Sequence, residues 1–368
     1  MRLAKYSSST DEFFMQQALQ LAEKGRGFVS PNPVVGAVIV KKGKIIGKGF
    51  HKQFGKAHAE VNAINYAKGK VKDATLYVTL EPCTFYGKTP ACVITLINSG
   101  LKRVVTATKD PNPKVFGKGI AMLKKAGIET KVGVLEKEAR KQNESYFKFV
   151  TKKLPYVILK IAASLDGKIA LLNGESKWIN SRLSRDFAQK LRLGADVILV
   201  GINTILKDDP RLTCRIEQGK RLTKVILDPD LETPINAKVL SGNNLVVFTR
   251  AGRINDNRKM KLLTQKGVRI ITTKNDANGL LPWNKILKEL YKIGIGTVFI
   301  EGGATVASSA LQAGIVDKFF LFLAPKLLGK GISFTDGIHL KNLDHAIKLK
   351  EYNLSQIGED ILIEGYFN

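Results

Sequence analysis

One ordered set of residues constrains this chain more than any other feature: His58-Ala59-Glu60, then Glu81-Pro82-Cys83 and, after eight residues, Cys92. Zinc takes imidazole nitrogen and thiolate sulfur, and a reactive site keeps three protein ligands with a fourth position open for water. His58, Cys83 and Cys92 supply three such ligands. Glu60, two residues beyond the histidine, is placed to move protons rather than to bind metal. A lone histidine and two cysteines are commonly ordinary buried residues. An ordered set in which every member has a chemical task reads as a site.

Length and charge bound the alternatives. A chain of 368 residues exceeds one typical domain and is expected to form two, each burying its own core. No apolar run is long enough to span a bilayer, and Met1 to Thr10 lacks the apolar core of a secretion signal. Three cysteines, two of them wanted as thiolates, argue against a disulfide framework and for a reducing cytoplasm. Cys214 is left over and reads as a small buried hydrophobe. The net charge of +27 raises nucleic-acid or membrane association. Yet the basic residues are scattered, as at Lys41, Lys102, Lys152 and Arg258, with no basic helix and no interleaved aromatics. Most of this charge is expected to be solvated surface, a small share steering anionic ligands.

Periodicity places the motifs. Residues 11–25 read as an amphipathic helix after a Thr10-Asp11 start signal, and Pro31 and Pro33 then turn the chain into the strand Val34 to Val40. Lys42-Gly43 makes a hairpin turn. Residues 58–68 should be helical, putting His58 and Glu60 at a helix start, and 75–80 should be a strand leading to Cys83. A helix over 89–99 begins near Cys92, where the helix dipole favours thiolate. A strand over 103–108, a helix near 119–126, a strand over 130–134 and a helix over 136–150 complete a first α/β domain, its sheet covered on both faces. Lys152-Lys153-Leu154-Pro155 marks the domain boundary, followed by a new strand from Tyr156. Near the end, a β-rich run closes at Glu301, Gly302-Gly303 turns the chain, and a helix of small residues follows. Such a unit lets backbone amides approach an anion. It can equally be a plain tight turn.

Four motifs in order resemble a known family. They are Ser30-Pro31-Asn32-Pro33-Val34-Val35-Gly36, His58-Ala59-Glu60, the Cys83/Cys92 pair with its eight-residue gap, and Asp110-Pro111-Asn112-Pro113-Lys114-Val115. Together they look like the deaminase half of the bifunctional pyrimidine deaminase/reductase of riboflavin biosynthesis. Nucleoside and tRNA deaminases usually carry only two residues between the cysteines. Leu159 to Ala170, Gly174 to Ile179, Val200 to Ile205, Asp208 to Thr213 and Val298 to Thr305 resemble the reductase half. The likeness covers nearly the whole chain.

The resemblance implies an α/β chain with an N-terminal cytidine-deaminase-like three-layer domain, residues 1–152, followed by a dihydrofolate-reductase-like domain, residues 153–368. It implies two cofactors, Zn2+ and NADPH, the latter carried from the family since no 2′-phosphate clamp can be read. In the first half it implies zinc on His58, Cys83 and Cys92, with Glu60 as proton shuttle. Asn32, Lys88 and Thr89 would then meet the substrate. Relatives more often carry Arg where Lys88 stands, a small residue in place of Phe54 and Pro in place of Ala57. In the second half Ala162, Trp178, Thr204, Asp208, Gly303, Ala304, Thr305, Val306, Ala307 and Ser308 would line the cofactor. Ser176, Arg192, Leu212, Arg215 and Glu301 would face the substrate. Lys160 and Asp208 are both candidate proton donors. Pro229 stands where relatives have a small polar residue. The expected partners are small phosphorylated pyrimidines and further copies of this chain, with no specific nucleic acid and no membrane. Two rivals remain at this point: a base deaminase acting on tRNA or nucleosides with an unrelated second domain, and a non-catalytic nucleic-acid-binding protein.

Overall fold

The computed structural model describes residues 10–86, 90–216, 222–242, 244–252, 257–274 and 279–367. The chain divides into two compact units, Met1–Lys153 and Leu154–Asn368.

The first unit opens with α1 (Asp11–Glu23), capped by Thr10, whose hydroxyl accepts the Phe13 amide at 3.2 Å. Strands β1 (Gly36–Lys41) and β2 (Lys44–Phe50) form a hairpin through Lys42 and Gly43, both at positive φ, as its two-residue turn requires. There follow α2 (Ala59–Tyr66), β3 (Thr75–Leu80), α3 (Cys92–Asn98), β4 (Arg103–Thr108), α4 (Lys118–Lys125), β5 (Glu129–Val132), α5 (Glu136–Gln142) and α6 (Glu144–Lys152). Among the described residues these strands make a five-stranded sheet in the order β2-β1-β3-β4-β5. The β1 pairings are antiparallel and the last two parallel.

Alternation along the strands decides the layers. Ala37, Ile39, Leu76, Val78 and Val104 face one way and bury against Ala59 and Ala63 of α2, Leu96 of α3 and Leu123 of α4. Val38, Val40, Tyr77, Val105 and Ala107 face the other way, against Phe14, Met15 and Ala18 of α1 and Ala139 of α5. The result is helix, sheet, helix, as the sequence predicts.

One helix differs. A single helix over 136–150 is expected, but the chain breaks at Asn143 into α5 and α6. Asn143 leaves helical geometry and is buried. Its Oδ1 accepts the Val34 amide and its Nδ2 donates to the Val34 carbonyl, both at 2.9 Å. The break therefore secures the Asn32-Pro33-Val34 segment at the edge of the site.

The second unit contains β6 (Tyr156–Ser164), β7 (Lys168–Leu171), α7 (Arg182–Leu193), β8 (Val197–Gly201), α8 (Ile202–Asp208), β9 (Thr223–Leu227), β10 (Leu245–Arg250), α9 (Asn257–Gln265), β11 (Arg269–Thr273), α10 (Trp283–Lys292), β12 (Thr297–Ile300), α11 (Ala304–Gln312), β13 (Lys318–Ala324), β14 (Gly331–Ser333), β15 (Glu351–Ile357) and β16 (Asp360–Tyr366). Among the described residues the main sheet runs β11-β10-β9-β8-β12-β6-β13-β16-β15. It is parallel from β11 through β13 and antiparallel beyond. Helices α10 and α11 cover Leu159, Leu199 and Ile300 on one face, while Ile205 and Leu263 cover Ile198, Ile226 and Val247 on the other. Parallel sheets of this kind place ligands beyond the carboxyl ends of their strands. Among the described residues no helix is long and apolar enough to cross a membrane.

Close backbone contact sets α2 on its strand. A Cβ added at Gly49 would fall 2.2 Å from the Ala59 carbonyl oxygen and 2.4 Å from the Ala63 nitrogen. Gly49→Val should push α2, and with it His58 and Glu60, off the sheet. We expect a loss of roughly 2–3 kcal/mol of stability together with a fall in bound zinc. Thermal melts and metal analysis check this; wild-type values for both would show that the contact is dispensable.

Candidate active sites

The first site gathers residues from three starts and ends of elements. His58 is the residue before α2, in extended conformation, with Glu60 in the helix's first turn. Cys83 follows β3, and Cys92 opens α3, which begins later than the expected 89–99 span. Donor atoms of His58, Cys83 and Cys92 lie within 4.8 Å of one another. The His58 Nδ1 is 3.1 Å from Cys92 Sγ and 3.6 Å from Cys83 Sγ. A tetrahedral zinc with ordinary Zn–N and Zn–S bonds separates nitrogen from sulfur by about 3.6 Å. The donor set and its spacing fit that ion.

The electrostatics agree with a metal-binding role. The Cys83 thiol is pulled down to about 4, first by the hydrogen bond from the Cys92 thiol, then by the His58 imidazole and the Cys92 amide at 3.3 Å. The Cys92 thiol is pushed up, first by the Cys83 sulfur it faces and then by its burial. Glu60 is buried, and among the described residues its Oε2 has no hydrogen-bond partner. Burial raises its pKa. A buried carboxylate oxygen without a partner costs stability unless it serves a ligand.

A cavity of about 190 Å³ opens beside these groups, lined among others by Asn32, His51, Phe54, Glu81, Phe85, Asp110, Asn112 and Tyr146. Asn32 is thus in the site, its Nδ2 3.3 Å from His51 Nε2, and His51 Nδ1 lies 3.3 Å from the Ala57 carbonyl. Lys88 and Thr89 lie outside the described residues.

Three lining residues carry no role in the sequence reading. Asp110 accepts the Asn112 amide at 2.8 Å and the Tyr146 hydroxyl at 2.9 Å. Burial raises its pKa to about 6. Glu81 accepts the amides of Gly117 and Ile120, tying the Cys83 segment to α4. The Asp-Pro-Asn-Pro motif is visible in sequence. Its partner Tyr146, 36 residues on, has no local signal.

The second site is a cavity of about 730 Å³ at the carboxyl ends of β6, β8, β9 and β12, within the usual range for a small-molecule or cofactor pocket. It brings together Lys160, Ala162, Ser176, Trp178, Thr204, Asp208, Glu301, Gly303, Ala304, Thr305 and Val306. Gly303 is the residue before α11, and a Cβ there would meet nothing within 4 Å. Gly302 and Gly201 are needed for packing, since a Cβ at either would strike Val306. An open amide cradle at a helix start suits the phosphates of a dinucleotide such as NADPH.

Other expected residues stand elsewhere. Ala307 and Ser308 turn into the protein behind α11, the Ser308 hydroxyl donating to the Ala304 carbonyl. Leu212 is buried in the core packed on β8 and β9. Arg215 is exposed. Arg192 does not line the cavity; it pairs with Glu301, which does, and donates to the Thr213 carbonyl at 3.0 Å. Lys160 is half-buried, and burial lowers the pKa of its ammonium. Pro229 also lines this cavity. Cys214 is half-buried against the same core as Leu212.

Two family models match the chain. Residues 155–363 match the RibD C-terminal domain, and residues 8–108 match the cytidine and deoxycytidylate deaminase zinc-binding region. The riboflavin biosynthesis protein RibD of Aquifex aeolicus is 45% identical over 356 residues, covering 96% of this chain and 97% of its own. That of Escherichia coli is 38% identical, covering 96% of this chain and 98% of its own. The chain belongs to the RibD family. Members are bifunctional enzymes of riboflavin biosynthesis, joining a zinc deaminase to an NADPH-using reductase, and this chain is one of them. The solved RibD of Acinetobacter baumannii superposes with a TM-score of 0.89 at 36% identity, covering 98% of this chain and all of that one. A diaminohydroxyphosphoribosylaminopyrimidine deaminase/5-amino-6-(5-phosphoribosylamino)uracil reductase from Thermotoga maritima does so at 0.86 and 39% identity, covering 97% and 99%.

Two outcomes follow from this geometry. Glu60→Gln should keep its zinc but lose ammonia release by roughly 10²–10⁴-fold; metal analysis and an ammonia assay check it, and undiminished release would remove Glu60 from the chemistry. Asp110 titrates higher in the folded chain than its ordinary value of 3.8, so the folded state prefers it protonated and loses stability as pH rises from about 4 to 6. Asp110→Asn lacks this loss. Its melting temperature relative to wild type should climb between pH 4 and pH 7, by the equivalent of about 2–3 kcal/mol; a flat difference would contradict the burial argument.

Proposed function

We propose that residues 1–152 deaminate 2,5-diamino-6-(5-phosphoribosylamino)pyrimidin-4-one and that residues 153–368 then reduce the ribosyl group of the resulting uracil to ribityl. The observation that carries the first step is the His58, Cys83 and Cys92 triad beside the buried Oε2 of Glu60, partnerless among the described residues. Zinc held there supplies Lewis acidity that lowers the pKa of a water molecule to about 7. Glu60 takes one proton from the water on Oε2 and gives it to the ring nitrogen, then takes the proton of the hydroxyl newly formed on the ring carbon and gives it to the departing amine. Asn32 and His51 orient the heterocycle, and burial keeps His51 neutral as a hydrogen-bonding group. Lys88 and Thr89 are the residues of choice for the ribose phosphate.

NADPH supplies hydride in the second step. The Gly303 to Val306 segment holds its phosphates, Ala162, Trp178 and Thr204 line it, and Ser176 and Glu301 face the sugar. Of the two candidate proton donors, Lys160 is favoured. Its burial weakens the hold on the ammonium proton, whereas Asp208 is exposed at the end of α8. Arg192 positions Glu301 through their ion pair. The substrates are small phosphorylated pyrimidines, the setting is the cytoplasm and the working form is a homo-oligomer.

Incubation with the diaminopyrimidine phosphate should release ammonia first and consume NADPH only afterwards. Ammonia from a tRNA stem, with none from this substrate, would overturn the reading. Cys83→Ala should abolish deamination yet leave reduction of supplied intermediate within about twofold. Joint loss would mean that zinc supports the folding of the whole chain. Lys160→Met should slow hydride transfer by roughly 10²-fold or more, with Asp208→Asn affecting it less; the reverse order would exchange their roles.

A further inference from the structure

The deaminase cavity is polar where the chemistry occurs and aromatic where it meets solvent. Glu60, His51 and Asp110 are buried. Phe54 and Phe85 line the same cavity yet are each 41% exposed. Two large apolar rings left open at one cavity each forfeit part of the gain of full burial. Their positions are set by the ligand segments themselves. Phe54 lies four residues before His58, its amide donating to the Phe28 carbonyl at 3.1 Å, and Phe85 lies two residues after Cys83.

The cavity's volume adds a second constraint. About 190 Å³ admits one heterocycle but not a heterocycle with its ribose phosphate, so the remainder of a phosphoribosyl substrate must leave past the mouth. A heterocycle occupying this cavity sits beside both rings, and stacking on them gives affinity without hydrogen-bond readout.

We propose that Phe54 and Phe85 are substrate-binding residues of the deaminase site, an aromatic wall that stacks on the pyrimidine inside the cavity while the phosphate remains outside. This rests on the pyrimidine-deaminase reading of the cavity and deepens it. Stacking acts alike on the ground state and the transition state, so its loss appears in KM and not in kcat. It also involves no counterion release, so its share of affinity is insensitive to salt.

The test compares Phe54→Ala, Phe85→Ala and Phe54→Tyr in the full-length zinc enzyme. Each alanine variant should raise KM for the diaminopyrimidine phosphate about tenfold, with kcat and zinc content within twofold of wild type. Phe54→Tyr should restore wild-type KM. Calorimetric binding of the bare ring, 2,5,6-triaminopyrimidin-4-one, should weaken by the same factor in the alanine variants at both low and high salt. An unchanged KM and ring affinity in both alanine variants, or a fall in kcat with KM intact, would overturn the proposal. Absence of ammonia release from the wild-type enzyme would instead overturn the deaminase reading itself, so the two failures are distinguishable.

Discussion

Two sulfurs and an imidazole converge on one small volume beside a buried carboxylate. Apart from a metal this is an unfavourable arrangement. Cys83 is driven towards thiolate while Cys92 is driven away from it, and Glu60 keeps one oxygen buried with no donor to it among the described residues. A divalent cation resolves these demands together, since it takes both sulfurs as thiolates and stabilises the neighbouring anion. The first unit is arranged so that three separate chain segments must arrive there.

The surrounding fold serves that convergence. Gly49 lets α2 lie against β2 closely enough to fix His58 and Glu60. Glu81 fastens the Cys83 segment to the start of α4, and Asn143 breaks a helix in order to hold Val34 by both of its backbone groups. Such buried polar anchors are costly if half satisfied and rigid when complete. In the second unit the same task falls to a parallel sheet, whose strand ends bring Lys160, Gly201, Leu227 and Glu301 to one cavity from positions far apart in sequence. Val306 locks the Gly302 turn against Gly201, leaving Gly303 open for a ligand.

Much of this was legible beforehand, for physical reasons that differ by residue. The ligands and Glu60 could be read because their chemistry demands particular side chains at short spacing. The strand over Arg103–Thr108 and the Lys42-Gly43 turn could be read because alternation and turn geometry are local. The interruption at Asn143 could not, since a buried side chain bonded to a residue more than a hundred positions away overrides local helix preference. The same holds for the Tyr146 bond to Asp110. In the reductase site a helix presents only one face to a ligand, so a contiguous stretch from Gly303 to Ser308 was too generous: Ala307 and Ser308 belong to the core side. Leu212 shows the same limit, because nothing near it in sequence says whether it faces the cavity or enters the core.

The central claim is that a metal held by His58, Cys83 and Cys92 is what lets this chain displace an amine. Chelating the purified protein to full metal loss, then following ammonia release and circular dichroism together before and after one equivalent of zinc, tests it most directly. The account predicts one zinc per chain, ammonia release abolished on removal and recovered on return. A metal-free chain that stays folded and releases ammonia at the original rate would contradict it.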